Sequence, residues 1–168
     1  MGLYDDVYAA FEAADVRYVV VGGMAVVMSG HVRATIDLDV VIDLAREPAL
    51  RAMRALRGLG LLPRVPVTAD DLADADVRER WITDKNMQVL SFYDPDNLAR
   101  EVDVFVAYPF DFELLVSCAV PTPVGERVVP VAALEHLIEM KTRAGRDRDL
   151  LDVEALERIR ERGRGHDR

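Results

Sequence analysis

Cysteine is almost missing from this chain, since Cys118 is the one cysteine among 168 residues. A single cysteine excludes an intramolecular disulfide and suits a reducing compartment, so we expect a cytoplasmic protein. Its apolar neighbours predict a buried thiol rather than a nucleophile. Histidine is also scarce, and the three histidines are too scattered to suggest a zinc site: His31, His136 and His166.

Long apolar runs are missing as well. No stretch approaches the ~20 apolar residues of a transmembrane helix. The first residues lack the basic region and apolar core of a signal peptide. We therefore expect no membrane partner. The hydrophobic content of 51% and charged content of 30% are those of an ordinary globular protein, and the length predicts one domain over residues 1–168.

Positive charge is in deficit, because the net charge is -9. This balance argues against a broad, nonspecific nucleic-acid surface, although a local basic patch could still steer an RNA substrate. Two catalytic motifs are absent too. The chain has no P-loop, and its serines lack the context of a Ser-His-Asp triad.

Helical and alternating patterns follow one another along the chain, which predicts an α/β (or α+β) fold. We expect a mixed β-sheet with helices mainly on one face, a core over about 15–130, C-terminal helices over about 131–162 and a frayed tail at 163–168. Strands are predicted at 17–21, 36–42, 87–93, 99–107 and 127–129. Helices are predicted at 3–14, 22–29, 48–58, 69–81, 131–144 and 146–162.

Two carboxylates stand in the second predicted strand. Side chains alternate along a strand, so Asp37 and Asp39 should share one face while Ile36 and Leu38 point to the core. Aspartate is depleted in strands, and two close negative charges are unfavourable unless a cation compensates them. Oxygen ligands on a rigid strand suit a hard ion such as Mg²⁺, which binds through one or two carboxylates plus substrate phosphates.

Two further pieces fit the same chemistry. Gly22 and Gly23 follow a β-branched run and open a predicted helix, where backbone N–H groups can approach an anion closely. Asp103 lies in a later strand that should return beside the carboxylate strand. Glu101 is its local competitor, but Asp103 has apolar residues on both sides.

In this order and spacing, the three pieces resemble the minimal nucleotidyltransferases of the polymerase-beta-like superfamily. The segment Lys141-Thr-Arg-Ala-Gly-Arg146-Asp-Arg-Asp149-Leu-Leu-Asp152 is similar to a helical motif of the subgroup that includes abortive-infection toxins of toxin–antitoxin pairs. The resemblance spans roughly residues 17–156. The glycine pair departs from the commoner Gly-Ser form, which removes a hydroxyl that would contact a phosphate oxygen.

The resemblance implies a nucleotidyltransferase fold and transfer of an NMP from an NTP, such as ATP, to an acceptor hydroxyl, with Mg²⁺ or Mn²⁺. It implies metal binding by Asp37, Asp39 and Asp103, with Asp103 also accepting the acceptor proton. The implied nucleotide-binding and supporting residues are Gly22, Gly23, Arg33, Lys141, Arg146, Asp149 and Asp152.

Several alternatives stay open. The acceptor could be a tRNA 3′ end, a protein side chain or a small molecule such as an aminoglycoside. A toxin role, with a separately encoded antitoxin as partner, follows from the resemblance alone. Arg33 could contact a triphosphate or a carboxylate, or form a structural ion pair. The rival hypothesis is a non-catalytic module that binds nucleotide, RNA or a partner protein through the same cleft.

Overall fold

The structure, a computed structural model, describes residues 2–166, which hold eight helices and seven strands. The helices are α1 (Asp5–Ala13), α2 (Gly22–Met28), α3 (Arg46–Gly58), α4 (Ala69–Ala73), α5 (Ala75–Lys85), α6 (Phe112–Ser117), α7 (Leu134–Ala144) and α8 (Asp147–His166). The strands are β1 (Tyr18–Val21), β2 (Leu38–Ile42), β3 (Leu62–Pro63), β4 (Val89–Asp94), β5 (Asn97–Phe105), β6 (Val120–Val124) and β7 (Arg127–Val131).

All seven strands form one mixed sheet, in the order β3-β4-β5-β2-β1-β7-β6. At its centre β2 pairs antiparallel with β1 and parallel with β5, while β1 also runs parallel to β7. Both edge strands carry proline, which cannot donate a ladder hydrogen bond and belongs at an edge: Pro63 in β3, and Pro121 and Pro123 in β6. The predicted mixed α/β architecture is confirmed.

β-Branched residues build the centre of this sheet. Residues 19–21 of β1 and 40–42 of β2 are fully buried, and so are Val102 and Val104 of β5. Branched side chains pack well on a pleated surface, and burying each one contributes roughly 1.5–3 kcal/mol. The sheet centre is therefore a rigid base for whatever side chains stand at the ends of β1, β2 and β5.

Several predicted boundaries are wrong. The helix predicted over 69–81 is two helices, because Asp74 ends α4 and its side chain accepts hydrogen bonds from the N–H groups of Asp76 and Val77 at the start of α5. The last strand reaches Val131, which pairs with Val20, so α7 begins only at Leu134.

Three other expectations also need correction. Cys118 is exposed rather than buried, because it lies at the end of the short helix α6. Strand β2 begins at Leu38, so Asp37 precedes the strand and Ile36 is exposed. Helix α8 continues past residue 162 to His166, while residues 167 and 168 of the predicted tail lie outside the described residues.

The chain's helices also bear on the expectation about membranes. Within residues 2–166, no helix combines the length and the apolar character that crossing a bilayer requires.

Candidate active site

Strand register brings two of the predicted carboxylates side by side. In the parallel pair of β2 and β5, Asp39 stands directly opposite Asp103. On the other side of β2, Asp39 pairs with Val21, the last residue of β1. Residues directly opposite in neighbouring strands point to the same face of the sheet, so both carboxylates face one region.

The glycine pair is shaped by Asp39. Gly22 has a φ of +65°, and a Cβ atom there would stand 1.9 Å from Asp39 Oδ2. The backbone N–H of Gly23 donates a hydrogen bond to the same oxygen, with an N···O distance of 3.3 Å. The missing Cβ of Gly22 is thus needed for the carboxylate to fit. The predicted contact between these glycines and a phosphate stays a prediction.

Burial makes both carboxylates hard to ionise. Burial first, then the neighbouring charge of Asp103, raises the pKa of Asp39 to about 7, although the Gly23 hydrogen bond opposes this. Burial also raises the pKa of Asp103, against the hydrogen bond from Ser91 and together with the charges of Glu101 and Asp37. Asp103 Oδ1 is a buried oxygen without a hydrogen-bond partner.

Cationic side chains from α7, from the residues that follow it and from the segment before β2 line the same cavity as these carboxylates. Lys141 Nζ lies 2.9 Å from Asp149 Oδ1 and 3.0 Å from Asp152 Oδ2. Arg146 Nε lies 2.6 Å from Asp149 Oδ2, and Arg33 donates to Asp152 Oδ2. Both aspartates are almost fully buried, so each buried anion has two cationic partners.

Hydrogen bonding decides the charge state of this network. Burial alone would lower the pKa of the Lys141 ammonium, but its bonds to Asp149 and Asp152 raise that pKa above its ordinary value. Burial would raise the pKa of the Asp149 carboxyl, but Arg146 and Lys141 outweigh it and lower that pKa. Lys141 is therefore held as a cation beside the cleft.

These groups line one cavity of about 240 Å³. It brings together eight of the ten predicted site residues. The other two lie just behind it, since Gly22 packs against Asp39 and Asp152 is buried beneath Lys141. A larger groove of about 990 Å³, between α1 and the β6–β7 hairpin, contains none of them. The lining residues are Gly23, Arg33, Thr35, Asp37, Asp39, Asp103, Lys141, Arg146, Arg148 and Asp149.

Sequence reasoning missed two of the lining residues. Arg148 lies within the helical motif, but the helix is interrupted between α7 and α8 at Gly145, which has a φ of +63°. The helical spacing from Lys141 therefore cannot be extended to Arg148. Thr35 lies in the irregular segment before β2, where no periodicity applies, and only its closeness to Asp37 in sequence could have indicated it.

The donor atoms suit a hard cation in part. Asp39 and Asp103 offer adjacent carboxylate oxygens, one of them unpartnered and buried. Among the described residues, no three side chains of His, Cys, Asp or Glu are placed to hold a metal ion by themselves. The pair of Asp39 and Asp103 matches the one or two carboxylates that Mg²⁺ commonly takes, with water and substrate phosphates completing its shell.

Comparison with protein-family models gives no match, and comparison with curated proteins gives none. Solved structures do match. The lincosamide antibiotic adenylyltransferase LnuA, in its lincomycin-bound crystal structure, has a TM-score of 0.61 at 16% identity, over 91% of this chain and 93% of that chain. The crystal structure of ANT(2'')-Ia in complex with adenylyl-2''-tobramycin has a TM-score of 0.58 at 14% identity, over 99% and 97%.

A third match is an antigenic nucleotidyltransferase-like protein from Paracoccidioides brasiliensis, with a TM-score of 0.54 at 17% identity, over 92% of this chain and 74% of that chain. This chain has the nucleotidyltransferase fold. The nucleotidyltransferase fold predicted from the glycine pair and the three aspartates is thus confirmed. The closer likeness to abortive-infection toxins stays a prediction.

Proposed function

We propose that the protein is a Mg²⁺-dependent nucleotidyltransferase that moves an NMP from an NTP, ATP among them, to an acceptor hydroxyl and releases pyrophosphate. One observation carries the proposal. Asp39 and Asp103 stand side by side in a cleft that is also lined by four cationic side chains. The cations are Arg33, Lys141, Arg146 and Arg148.

The cations of the cleft suit the triphosphate, and the two adjacent carboxylates suit the acceptor hydroxyl. The triphosphate is drawn to these cations. Arg146 and Arg148 are exposed, and each has N–H groups, besides those bonded to Asp149 and to the Ala34 carbonyl, that can donate to phosphate oxygens. Lys141 adds a fixed positive charge where pyrophosphate departs, which is the electrostatic part of catalysis. The α-phosphorus then lies toward Asp39 and Asp103. The acceptor hydroxyl approaches from their side, in line with the bond to pyrophosphate.

Asp103 is the base in this proposal. As the acceptor oxygen forms its bond to the α-phosphorus, the bond to pyrophosphate breaks and the hydroxyl proton passes to Asp103. Its unpartnered Oδ1 and its raised pKa suit a group that accepts a proton. When bound, Mg²⁺ would be held by Asp39 and Asp103, with Asp37 nearby, and would neutralise charge on the reacting phosphate.

A small-molecule acceptor is the version that the observations favour over tRNA or protein. LnuA is an antibiotic adenylyltransferase, and ANT(2'')-Ia is seen with an adenylylated tobramycin. The net charge of -9 also repels a polyanion such as tRNA at long range and attracts a cationic acceptor. A toxin role, with an antitoxin partner, rests on the sequence resemblance alone.

Transfer assays test the proposal. We would incubate the protein with each α-labelled NTP, Mg²⁺ and one of three acceptor sets: aminoglycosides with lincomycin, total tRNA, or cell protein. Label should move to one acceptor set with release of pyrophosphate. NTP binding without transfer to any of the three would instead favour the non-catalytic module.

Asp103→Asn tests the assigned base. General-base assistance typically contributes about 10²–10⁴-fold, so single-turnover transfer should fall at least about a hundredfold, with much less change in NTP affinity. Glu101→Gln is the matched control, because Glu101 lies two residues earlier on β5 and pairs with Arg64. Transfer that survives in Asp103→Asn but not in Glu101→Gln would move the base to Glu101.

A further inference from the structure

The segment over 31–37 connects α2 to β2 without forming a helix or a strand, yet it carries Thr35 and Asp37 into the cleft. Apolar burial does not hold it in place. Val32 is 94% exposed and Ile36 is 52% exposed. The geometry of this segment therefore depends on its polar contacts.

Three side chains provide these contacts. Tyr4 and Arg148 lie outside the segment, and Arg33 belongs to it. Tyr4 donates its hydroxyl to the carbonyl of Ile36, with an O···O distance of 2.5 Å. From α8, Arg148 Nη2 donates to the carbonyl of Ala34 at 2.9 Å. Arg33 reaches from the segment to α8, where its Nη1 donates to Asp152 Oδ2.

The Arg33–Asp152 pair is a buried ion pair. The side chain of Arg33 is 11% exposed and that of Asp152 is 3% exposed. By contrast, the side chain of Arg146, another cation of the same network, is 77% exposed. Removing one partner of a buried ion pair leaves an uncompensated charge, so Arg33 is bound firmly to Asp152 and has little freedom to turn toward a phosphate.

The same segment also rests on α2. A Cβ atom at Gly23 would lie 2.5 Å from Thr35 Oγ1 and 3.3 Å from Arg33 Nη2. Arg33 therefore lies between Gly23 on one side and Asp152 on the other. A shift of the guanidinium would move the segment that precedes β2, and Asp37 with it.

We infer that Arg33 is a positioning residue, which acts through Asp152 to hold Thr35 and Asp37 at the cleft and does not itself bind the triphosphate. The inference deepens the proposed function, because it assigns a role within the same cleft. It leaves triphosphate contact to the exposed Arg146 and to the part of the Arg148 guanidinium that is not bonded to the Ala34 carbonyl.

Hydrogen exchange of the segment tests the inference without any assumption about activity. In Arg33→Ala and in Asp152→Ala, the hydrogen-bonded amides at the two ends of the segment, those of His31 and of residues 38–40 in β2, should exchange at least about tenfold faster than in the parent. The double variant should be no worse than Asp152→Ala alone, because Asp152→Ala already removes the Arg33 pair together with the contact to Lys141. Arg146→Ala is the matched control and should leave the segment's exchange unchanged. Arg33→Lys should restore part of the protection, since an ammonium can still pair with Asp152.

Binding measurements separate positioning from phosphate contact. For Arg33→Ala, the Kd for ATP in EDTA should stay within about twofold of the parent value, while Mn²⁺ should bind the ATP complex at least about fivefold more weakly. Arg146→Ala should show the reverse pattern. If Arg33→Ala weakened metal-free ATP binding as Arg146→Ala does, and left exchange of the segment unchanged, Arg33 would be a nucleotide ligand and the inference would be wrong.

The two proposals fail separately. A parent protein that bound neither Mn²⁺ nor ATP would refute the proposed function, while the exchange comparison would still decide whether Arg33 holds the segment. If Asp152→Ala did not fold, Arg33→Ala and Arg33→Lys would carry the same test, since their difference reports the pair directly.

Discussion

Asp39 carries a pH dependence that can be measured without a substrate. Its pKa in the folded protein is about 7, against an ordinary value of 3.8, because burial and Asp103 oppose its charge. The folded state therefore holds the proton more tightly than the unfolded chain does. The stability that Asp39 contributes is fully present below about pH 4 and is lost as the pH rises through about 7.

Asp39→Asn should remove this loss. Without metal, the melting temperature of the variant minus that of the parent should increase between about pH 4 and pH 7, because the amide never ionises. Above about pH 7 this difference should stay constant, with the variant more stable. Differential scanning fluorimetry over that pH range is the measurement. Adding Mg²⁺ with ATP should reduce the pH-dependent loss in the parent and leave the pH dependence of the variant's melting temperature unchanged. If the melting temperatures of the two metal-free proteins changed with pH in parallel, the raised pKa of Asp39 would be wrong.

Gly22 offers a second test at a single residue. Alanine at Gly22 must adopt a φ of +65° and also push Asp39 aside, whereas Gly30, with a φ of +103°, has no neighbouring atom within 4 Å of a Cβ. Left-handed backbone costs alanine roughly 1–2 kcal/mol at either position. Gly30→Ala should show that loss alone. Gly22→Ala should lose more stability and at least about tenfold in transfer rate, through the displaced carboxylate.

Urea unfolding and single-turnover transfer of the two glycine variants would separate the effects. Equal stability and equal activity in both variants would mean that Asp39 moves aside freely. In that case the space left by Gly22 would not be needed for the carboxylate.

Helices α7 and α8 act together through Lys141. The break at Gly145 turns the chain so that Asp149 and Asp152 of α8 both reach the Lys141 ammonium of α7. Lys141→Met should therefore destabilise the protein by about 3 kcal/mol, near the low end for a broken buried pair, because Arg33 and Arg146 still compensate the aspartates.

Arg158→Ala is the control for this helix pair. Arg158 lies on the exposed face of α8 and forms a weak pair with Glu154, so its loss should cost under about 0.5 kcal/mol. Both variants are compared by urea unfolding at pH 7. Similar losses in the two would show that the Lys141 network contributes no more than a surface ion pair.

At the level of elements, periodicity was a good guide where one pattern covered a whole element. The β-branched run of β1 and the apolar spacing of α1 predict those elements almost to the residue. Boundaries set by side-chain caps were not predictable from periodicity. Asp74 splits α4 from α5 by capping, and Val131 joins β7 through its pairing with Val20, a contact between residues far apart in sequence.

At the candidate site, the types of the residues predicted its members better than their expected positions along strands and helices did. The two aspartates at the sheet centre could be identified because charge is rare within aliphatic strands, and their register brings them together. Asp37, predicted on the same strand, instead precedes it. The partners of Arg33 could not be predicted, because an arginine before a strand gives no sign of which distant carboxylate it meets.

The molecule as a whole sets one more expectation, about the acceptor. The net charge is -9, while the four cations that line the cleft are the groups that we propose attract the triphosphate. An approaching acceptor therefore meets a negative field, which salt screens over about 10 Å at 0.1 M. A polycationic acceptor should be attracted at low salt and a polyanionic one repelled.

The ionic-strength dependence of the acceptor KM distinguishes these classes. At saturating NTP, the KM for an aminoglycoside should rise several-fold between about 20 and 200 mM salt, because screening removes the attraction. The KM for tRNA, if tRNA is an acceptor, should not rise in the same way, since screening then relieves a repulsion. Lincomycin, with a single amine, is the matched small-molecule control and should show a smaller rise. A KM for aminoglycoside that falls with salt would mean that local contacts outweigh the field of the whole molecule, and the charge argument for a cationic acceptor would be lost.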